Sequence, residues 1–405
     1  MSRCQLITRS GEIELDDEVL TTHRAALATL EAGSSTAPHQ RLCYAATHLV
    51  LHDTYEVCTH SLAHKGSAQE IAHYIDWDGT MLLRRRLDGL GLGIAEAMDT
   101  AQRFDIGWRN ASELIRRTGE LGLAQGFVAG AGVDHLPEIR GVEDLIDGVA
   151  WQARFIQEQG GIPILLPMPW LSQQGCDEDS YVHVYRAIVD QLEGPLFVHW
   201  LGEMFLPSLA GYFPGRSFSR IMAHAPDKVR GAKLSMLDEG LEVLVRRELL
   251  ARDQILLTGD DFHFAGLIAG DAPTAPTRST RIAGHEVSLG DFSHALLGIL
   301  DAIAEPAALA LRFLRYGDRD RYLAIMQPCE TLSRHLFEEP TCHYKAGLAF
   351  LSWLNGTQSN RMLVNHEEHA RSPEHYARAT HLASRAGVLT NAALAHHLLS
   401  HPNAL

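Results

Sequence analysis

The chain lacks paired cysteines. Its six, Cys4, Cys43, Cys58, Cys176, Cys329 and Cys342, are scattered without a CxxC spacing, which argues against a disulfide scaffold and against a cysteine-based structural zinc site. Positive charge is also scarce. Thirty-five Lys and Arg stand against 50 Asp and Glu, a formal charge of −15, so neither a nucleic acid nor an anionic membrane is an expected partner. No run of about 18 uncharged apolar residues occurs, and the start Met1-Ser2-Arg3-Cys4-Gln5-Leu6 has no apolar signal core. Together these predict a cytoplasmic protein. What remains is a globular composition of 405 residues, 46% hydrophobic and 21% charged, enough for one large core or two smaller ones.

Residues 1–40 are mixed and polar and read as an N-terminal arm, with a helix from Asp17 to Glu31 ended by Gly33-Ser34-Ser35. From Leu42 the pattern becomes regular. Short apolar runs rich in β-formers fall at Leu42 to Val50, Gly91 to Met98, Gly126 to Gly130, Ile162 to Leu166, Pro195 to Trp200, Lys228 to Ser235, Gln254 to Thr258 and Ala295 to Ile299. Helical periodicity lies between them, at Ile75 to Leu90, Ala111 to Leu123, Val142 to Glu158, Asp179 to Gln191 and Glu239 to Leu250, with a less regular segment from Pro207 to Ala225. Eight such runs predict an α/β fold, a closed (β/α)₈ TIM barrel over residues 41–304, with an open doubly wound sheet as the alternative. An insertion at about 271–292 carries a hairpin near Ala283-Gly284, and residues 305–405 read as a C-terminal helical extension with turns at Tyr316-Gly317-Asp318 and Glu339-Pro340. The apolar run Leu348 to Leu354 fits either an interface or a core helix. Gly91-Leu92-Gly93 is no dinucleotide loop, because its glycines precede the strand and the third is missing.

In a barrel the C-terminal strand ends carry the chemistry. Those ends hold His52 and Asp53, Glu96 and Asp99, Asp134, Trp170, His199 and Glu203, Lys233, Asp260 and Asp261, and Asp301. Lys233, in Lys228-Val229-Arg230-Gly231-Ala232-Lys233-Leu234-Ser235, stands between apolar neighbours on the sixth strand. Desolvation disfavours its ammonium, and the free amine attacks carbonyls. A lysine snorkelling to water is the plainer reading of that stretch taken alone.

With Lys233 sixth and Gly259-Asp260-Asp261 following the seventh strand, residues 42–355 resemble the dihydrodipicolinate synthase and N-acetylneuraminate lyase superfamily of class I aldolases. They resemble more closely a divergent, functionally uncharacterised branch of it. Gly231-Ala232-Lys233 matches that family's Gly-Ile-Lys motif, Gly130-Ala131-Gly132 its Gly-x-Gly after strand three, and Lys345-Ala346-Gly347-Leu348 the turn that opens its C-terminal helices. The resemblance implies a (β/α)₈ barrel, a Schiff base on Lys233, and a homodimer or homotetramer built with the C-terminal helices. Three positions depart from the pattern. The proton-shuttling tyrosine of strand five falls on His199, the carboxylate-binding Gly-Thr-Thr-Gly-Glu segment on Ala97-Met98-Asp99-Thr100, and Pro-Tyr-Tyr on Pro169-Trp170-Leu171.

The chemistry read from these residues is a lyase or aldolase without a cofactor, acting on a small carbonyl compound of polyhydroxylated or oxidised-sugar type in carbohydrate metabolism. Lys233 forms the iminium, and His199 moves the proton, its ordinary pKa near 6.5 suiting both directions. Glu96, Asp99, Thr100, Trp170, Glu203, Asp260 and Asp261 bind substrate, although Glu96, Asp99 and Asp260 are equally suited to pairing with arginines at the rim. Two other classes stay open. One is a divalent-metal-dependent sugar isomerase, epimerase or lyase using His52, Glu96, His199, Glu203 and Asp260; the other is a binding barrel without chemistry. The run His366-Glu367-Glu368-His369 is not HExxH, its histidines being three apart, and reads as a solvated helical turn.

Overall fold

The computed structural model describes residues 3–8, 11–33, 40–271 and 278–401. Its strands, in chain order, begin with a hairpin, β1 (Arg3–Thr8) and β2 (Gly11–Asp16). Then come β3 (Cys43–Ala46), β4 (Gly93–Glu96), β5 (Phe127–Ala131), β6 (Ile162–Leu165), β7 (Leu196–Leu201), β8 (Val229–Ser235) and β9 (Ile255–Thr258). A second hairpin, β10 (Arg278–Ile282) and β11 (His285–Leu289), precedes β12 (His294–Leu297). The eight strands β12-β3-β4-β5-β6-β7-β8-β9 close into a parallel barrel, and all eight coincide with the apolar runs of the sequence.

Side chains alternate across the barrel wall with the strand period of two. Tyr44, Ala46, Ala95, Val128, Ile164, Phe197, Leu257 and Leu296 fill the interior. Ala45, Ile94, Ala129, Leu165, Val198, Ala232, Leu234 and Leu256 face the surrounding helices. On β8 this alternation leaves Gly231, Lys233 and Ser235 inward. Gly231 lets β8 and β9 meet closely, since a Cβ there would lie 2.1 Å from the Ile255 carbonyl oxygen.

The helices Val142–Glu158 and Glu239–Leu250 have the limits read from the sequence. After β4 the helical stretch spans Arg103–Glu120 rather than starting at Ala111, and Gly107 (φ 72°, ψ 161°) breaks it into a short leading piece and the longer helix that contains Ala111. Ala283 (φ 47°) and Gly284 (φ 85°) turn the β10–β11 hairpin where a hairpin was expected; residues 272–277 of that insertion lie outside the described residues. The N-terminal arm holds the β1–β2 hairpin, which the reading of residues 1–40 as polar did not foresee. Leu6, Ile13 and Leu15 bury its apolar face. The arm's helix begins at Thr21, four residues later than expected, since Asp17 instead accepts the Ala392 amide at 2.9 Å.

The C-terminal extension comprises the helices Ala304–Arg315, Arg319–Leu336, Lys345–Leu354, Pro373–Arg385 and Ala392–Leu399. Leu348, Phe350, Leu351 and Leu354 are fully buried, so the run from Leu348 to Leu354 is a core helix of this chain. Among the described residues no helix is long and apolar enough to cross a membrane. Because the methyl of Gly231→Ala would collide with backbone rather than with a flexible side chain, this variant should lose about 1–3 kcal/mol of stability, measured as a lowered urea midpoint with an unchanged m-value.

Candidate active site

Lys233 rises from β8 into the barrel mouth, in register with His199 on β7 and Leu257 on β9. Gly259 makes the space it occupies: a Cβ there would meet Ser235 Oγ at 2.1 Å and Lys233 Cε at 2.9 Å. The Gly259-Asp260-Asp261 motif is therefore tied sterically to the lysine. Burial pushes the Lys233 amine well below the ordinary lysine value, while Asp261 and then Asp99 act against that shift through their charge. No ion pair holds Nζ among the described residues, so the amine remains available.

Asp261 is the lysine's electrostatic counterpart. It is 4% exposed, and burial raises its carboxyl far above the usual range, opposed by the Ile299 amide at 3.2 Å and by Lys233. The amine is lowered and the carboxyl raised, burial being the largest cause of both shifts. Asp260 has a different task. Its carboxylate accepts the amides of Phe262 (2.8 Å) and His263 (3.1 Å) and bonds His263 Nδ1 at 2.8 Å, which fixes the turn that aims Asp261.

His199 Nε2 lies 3.2 Å from Ser235 Oγ, and its Nδ1 is buried without a partner among the described residues. Burial first, then the charge of Lys233, hold the ring well below the ordinary histidine pKa. A neutral imidazole of such low basicity is a poor proton donor near pH 7.

The mouth is completed from outside the barrel. Tyr344, immediately before the helix Lys345–Leu354, stacks on Phe337 at 4.3 Å and lies over Gly298 at the end of β12, where a Cβ would meet its ring at 2.9 Å. Its hydroxyl bonds Thr100 Oγ1 at 2.7 Å. Burial, then Asp99, with Asp261 adding, hold it well above the ordinary tyrosine value, so it stays protonated. Asp99 accepts Lys345 Nζ at 3.1 Å, and that ammonium also reaches the Cys342 carbonyl at 2.7 Å and Glu367 Oε1 at 3.5 Å. Sequence reasoning quoted Lys345 only as part of a turn and passed over Tyr344. No local pattern marks either, because the extension carries them to the mouth.

His48 was also missed. Its Nδ1 pairs with Asp301 Oδ2, and Nε2 lies 2.6 Å from Gln358 Oε1, all within the buried wall between β3, β12 and the extension. A signal existed, since His48 continues the inward series Tyr44, Ala46.

Other expected site residues are not brought to Lys233. Glu96 points outward through the wall into a two-pronged bond with Arg84, at 2.9 and 3.0 Å, and accepts Thr118 Oγ1 at 2.7 Å. It anchors a helix to the barrel rather than binding substrate. Glu203 and His52 are exposed, and Trp170 packs half-buried on the outer core. His52, Glu96, His199, Glu203 and Asp260 accordingly do not assemble three ligand atoms within 4.8 Å among the described residues. The run His366 to His369 is not a solvated turn: Glu367 and Glu368 are buried, Glu367 bonding Gln102 Nε2 at 2.7 Å and His343 Nδ1 at 2.8 Å.

A family model described as "Protein of unknown function (DUF993)" matches residues 12–402. No curated protein matches the chain. Among solved structures, the chain is similar to YagE of E. coli K12, a prophage protein of the dihydrodipicolinic acid synthase family in complex with pyruvate. The identity is 12% and the TM-score 0.58, covering 85% of this chain and 98% of that one. N-acetylneuraminate lyase of Mycoplasma synoviae matches at 11% identity and a TM-score of 0.52, covering 85% and 97%. A 2-keto-3-deoxygluconate aldolase variant of Sulfolobus solfataricus matches at 8% and 0.54, covering 85% and 95%. At these identities the shared property is the fold.

The electrostatics can be read without a substrate. Competitive labelling of Lys233 with acetic anhydride, followed by peptide mass spectrometry, should give a titration midpoint below the ordinary lysine value of 10.5. Because the carboxylate of Asp261 stabilises the ammonium, Asp261→Asn should move that midpoint further down. An upward movement would contradict the pairing.

Proposed function

The chain belongs to the DUF993 family, and on its dihydrodipicolinate synthase-like barrel we propose a Schiff-base-forming lyase or aldolase that acts on a small polyhydroxylated carbonyl compound. The observation that carries this reading is the inward amine of Lys233 on β8, without an ion pair among the described residues, beside the buried Asp261, a setting in which the amine is lowered and the carboxyl raised. The printed functions of the lyase and aldolase neighbours point the same way.

The neutral amine of Lys233 adds to the substrate carbonyl, forming the C–N bond, and the carbonyl oxygen takes up a proton. Loss of that oxygen as water leaves an iminium. In C–C cleavage the iminium accepts the electron pair of the Cα–Cβ bond while the β-hydroxyl gives up its proton and the fragment leaves as an aldehyde or ketone, giving an enamine to whose carbon a proton then returns. In C–O cleavage the pair comes instead from a Cα–H bond whose proton is removed, and the enamine expels the β-oxygen, which leaves protonated as water or an alcohol. Water then hydrolyses the iminium and frees Lys233. Asp261 carries protons in both directions. Tyr344, protonated and held by Thr100, donates a hydrogen bond to a substrate oxygen. His199 and Ser235 orient the lysine stem.

Substrate class follows from the charges. Asp99 and Asp261 face the amine, while Lys345 is already paired with Asp99 and Glu367, and Arg103 with Asp134 and Gln152. A carboxylate beside the reacting carbonyl would find these cations committed, whereas hydroxyl groups find acceptors in Asp99 and Asp261.

Borohydride trapping with a pool of sugar-derived aldehydes and ketones, followed by peptide mapping, should place an adduct on Lys233, and Lys233→Ala should abolish both adduct and turnover. An adduct mapped elsewhere, or activity in Lys233→Ala, would overturn the mechanism. Tyr344→Phe should keep the trapped adduct while lowering kcat about 10²–10⁴-fold, separating proton delivery from imine formation in single-turnover measurements.

A further inference from the structure

The C-terminal extension holds a second cluster of ligand-type side chains. His335 lies in the last turn of the helix Arg319–Leu336, Glu338 two residues beyond its end, and His375 in the first turn of the helix Pro373–Arg385. Glu338 stands between the histidines, with Oε2 3.1 Å from His335 Nδ1 and Oε1 2.9 Å from His375 Nδ1. The two rings lie 4.2 Å apart. His335 is 5% and His375 6% exposed, while the Glu338 side chain is 43% exposed.

The hydrogen-bond logic of His335 is decisive. Its Nε2 lies 2.9 Å from the carbonyl oxygen of His375, a group that only accepts, so Nε2 carries the ring hydrogen. A neutral His335 then turns the Nδ1 lone pair toward a carboxylate oxygen, an acceptor facing an acceptor. The arrangement needs positive charge between Nδ1 and Glu338. On the other ring, Nδ1 of His375 faces Glu338 Oε1 at 2.9 Å and Nε2 is buried without a partner among the described residues, so His375 takes its hydrogen on Nε2 when Nδ1 ligates a cation.

We propose that His335, Glu338 and His375 bind one divalent cation of the zinc class. Two imidazole nitrogens and a carboxylate are a donor set suited to such an ion. A ligating histidine whose other nitrogen donates to a backbone carbonyl is the usual supporting arrangement, and His335 already has it. The C-terminus of the helix Arg319–Leu336 directs its negative end at the cluster. Arg371, the nearby cation, gives its hydrogen bonds to the carbonyls of Leu336, Glu338, Glu339 and Pro340. The exposed side of Glu338 leaves coordination open to water. The cysteine spacing spoke only to thiolate sites, and this set is independent of the Lys233 chemistry.

The ion joins the end of one helix to the start of another and so brackets residues 337–372, the segment that carries Tyr344, Lys345 and Gln358 to the barrel. The test uses untagged full-length protein stripped with a chelator, then titrated with Zn²⁺ by calorimetry and with Co²⁺ by visible absorption. One equivalent should bind with a raised thermal midpoint, and Co²⁺ should show d–d bands of low coordination number. His335→Gln and His375→Gln should weaken binding at least about tenfold. Glu338→Gln, at a half-exposed position that the fold tolerates, should do the same and decides the matter if the histidine variants do not fold. His369→Gln, in the neighbouring cluster with His366 and Glu368, should change nothing. Absence of a stoichiometric equivalent, its survival in Glu338→Gln, or its loss in His369→Gln would overturn the proposal.

Discussion

The desolvation of one amine governs the barrel mouth. Burying Lys233 disfavours its ammonium, and two carboxylates in the same space work against that effect without pairing with it. At an effective dielectric near 20, a charge pair at contact attracts by about 4 kcal/mol, enough to hold an amine fully protonated. No ion pair at that distance joins Lys233 to Asp261 among the described residues, so burial outweighs the attraction and the amine stays lowered. Gly259 supports the same balance sterically, since any side chain at that position would displace the lysine stem and Ser235 together. The motif Gly259-Asp260-Asp261 is then one device: space from the glycine, turn geometry from Asp260 and the proton partner from Asp261.

The rest of the mouth screens that amine, which is itself half-buried. Tyr344 covers the end of β12, its ring against Gly298 and Phe337. Lys345 neutralises Asp99 and Glu367, so the cap places the Tyr344 hydroxyl on Thr100 without adding an uncompensated charge. An isolated buried ammonium would be costly; shared between two carboxylates, it becomes a fixed element of the cap. The same logic applies to Glu96, whose carboxylate is entirely buried yet satisfied by Arg84 and Thr118, and which on this account has no capacity left for a substrate.

How much of this was legible in the sequence depends on the range of the interaction. The barrel strands were readable because their burial on both faces leaves short apolar runs, and the helices Val142–Glu158 and Glu239–Leu250 because their periodicity is unbroken. Lys233 and Gly259-Asp260-Asp261 were readable from strand order. Glu96 was misplaced because a residue at a strand end points inward or outward according to parity. Counting from Ile94, which faces the helices, assigns it outward, and counting from Tyr44 brings His48 inward. Tyr344, Gln358 and the partners of Glu367 were not legible, since their contacts span 244 residues in the Thr100–Tyr344 bond and 310 in the His48–Gln358 bond, beyond any local pattern. The β1–β2 hairpin was missed for a smaller reason: Leu6, Ile13 and Leu15 alternate with polar residues, and the polar positions dominated the composition.

That hairpin bears on the site through the extension. Its face packs on the helices Pro373–Arg385 and Ala392–Leu399, with the Asp16 amide donating to Ser384 Oγ at 2.9 Å and Asp17 capping the second helix. The barrel presents Lys233 and Asp261 at its mouth, the C-terminal extension lays Tyr344 and Lys345 across it, and the N-terminal hairpin packs on the last helices of that extension. Closure raises the strength of every charge interaction inside by excluding water, so the shift of Lys233 belongs to the whole chain rather than to β8. A barrel isolated from its two flanking segments would keep the sequence motif and lose the low dielectric that gives the motif its chemistry.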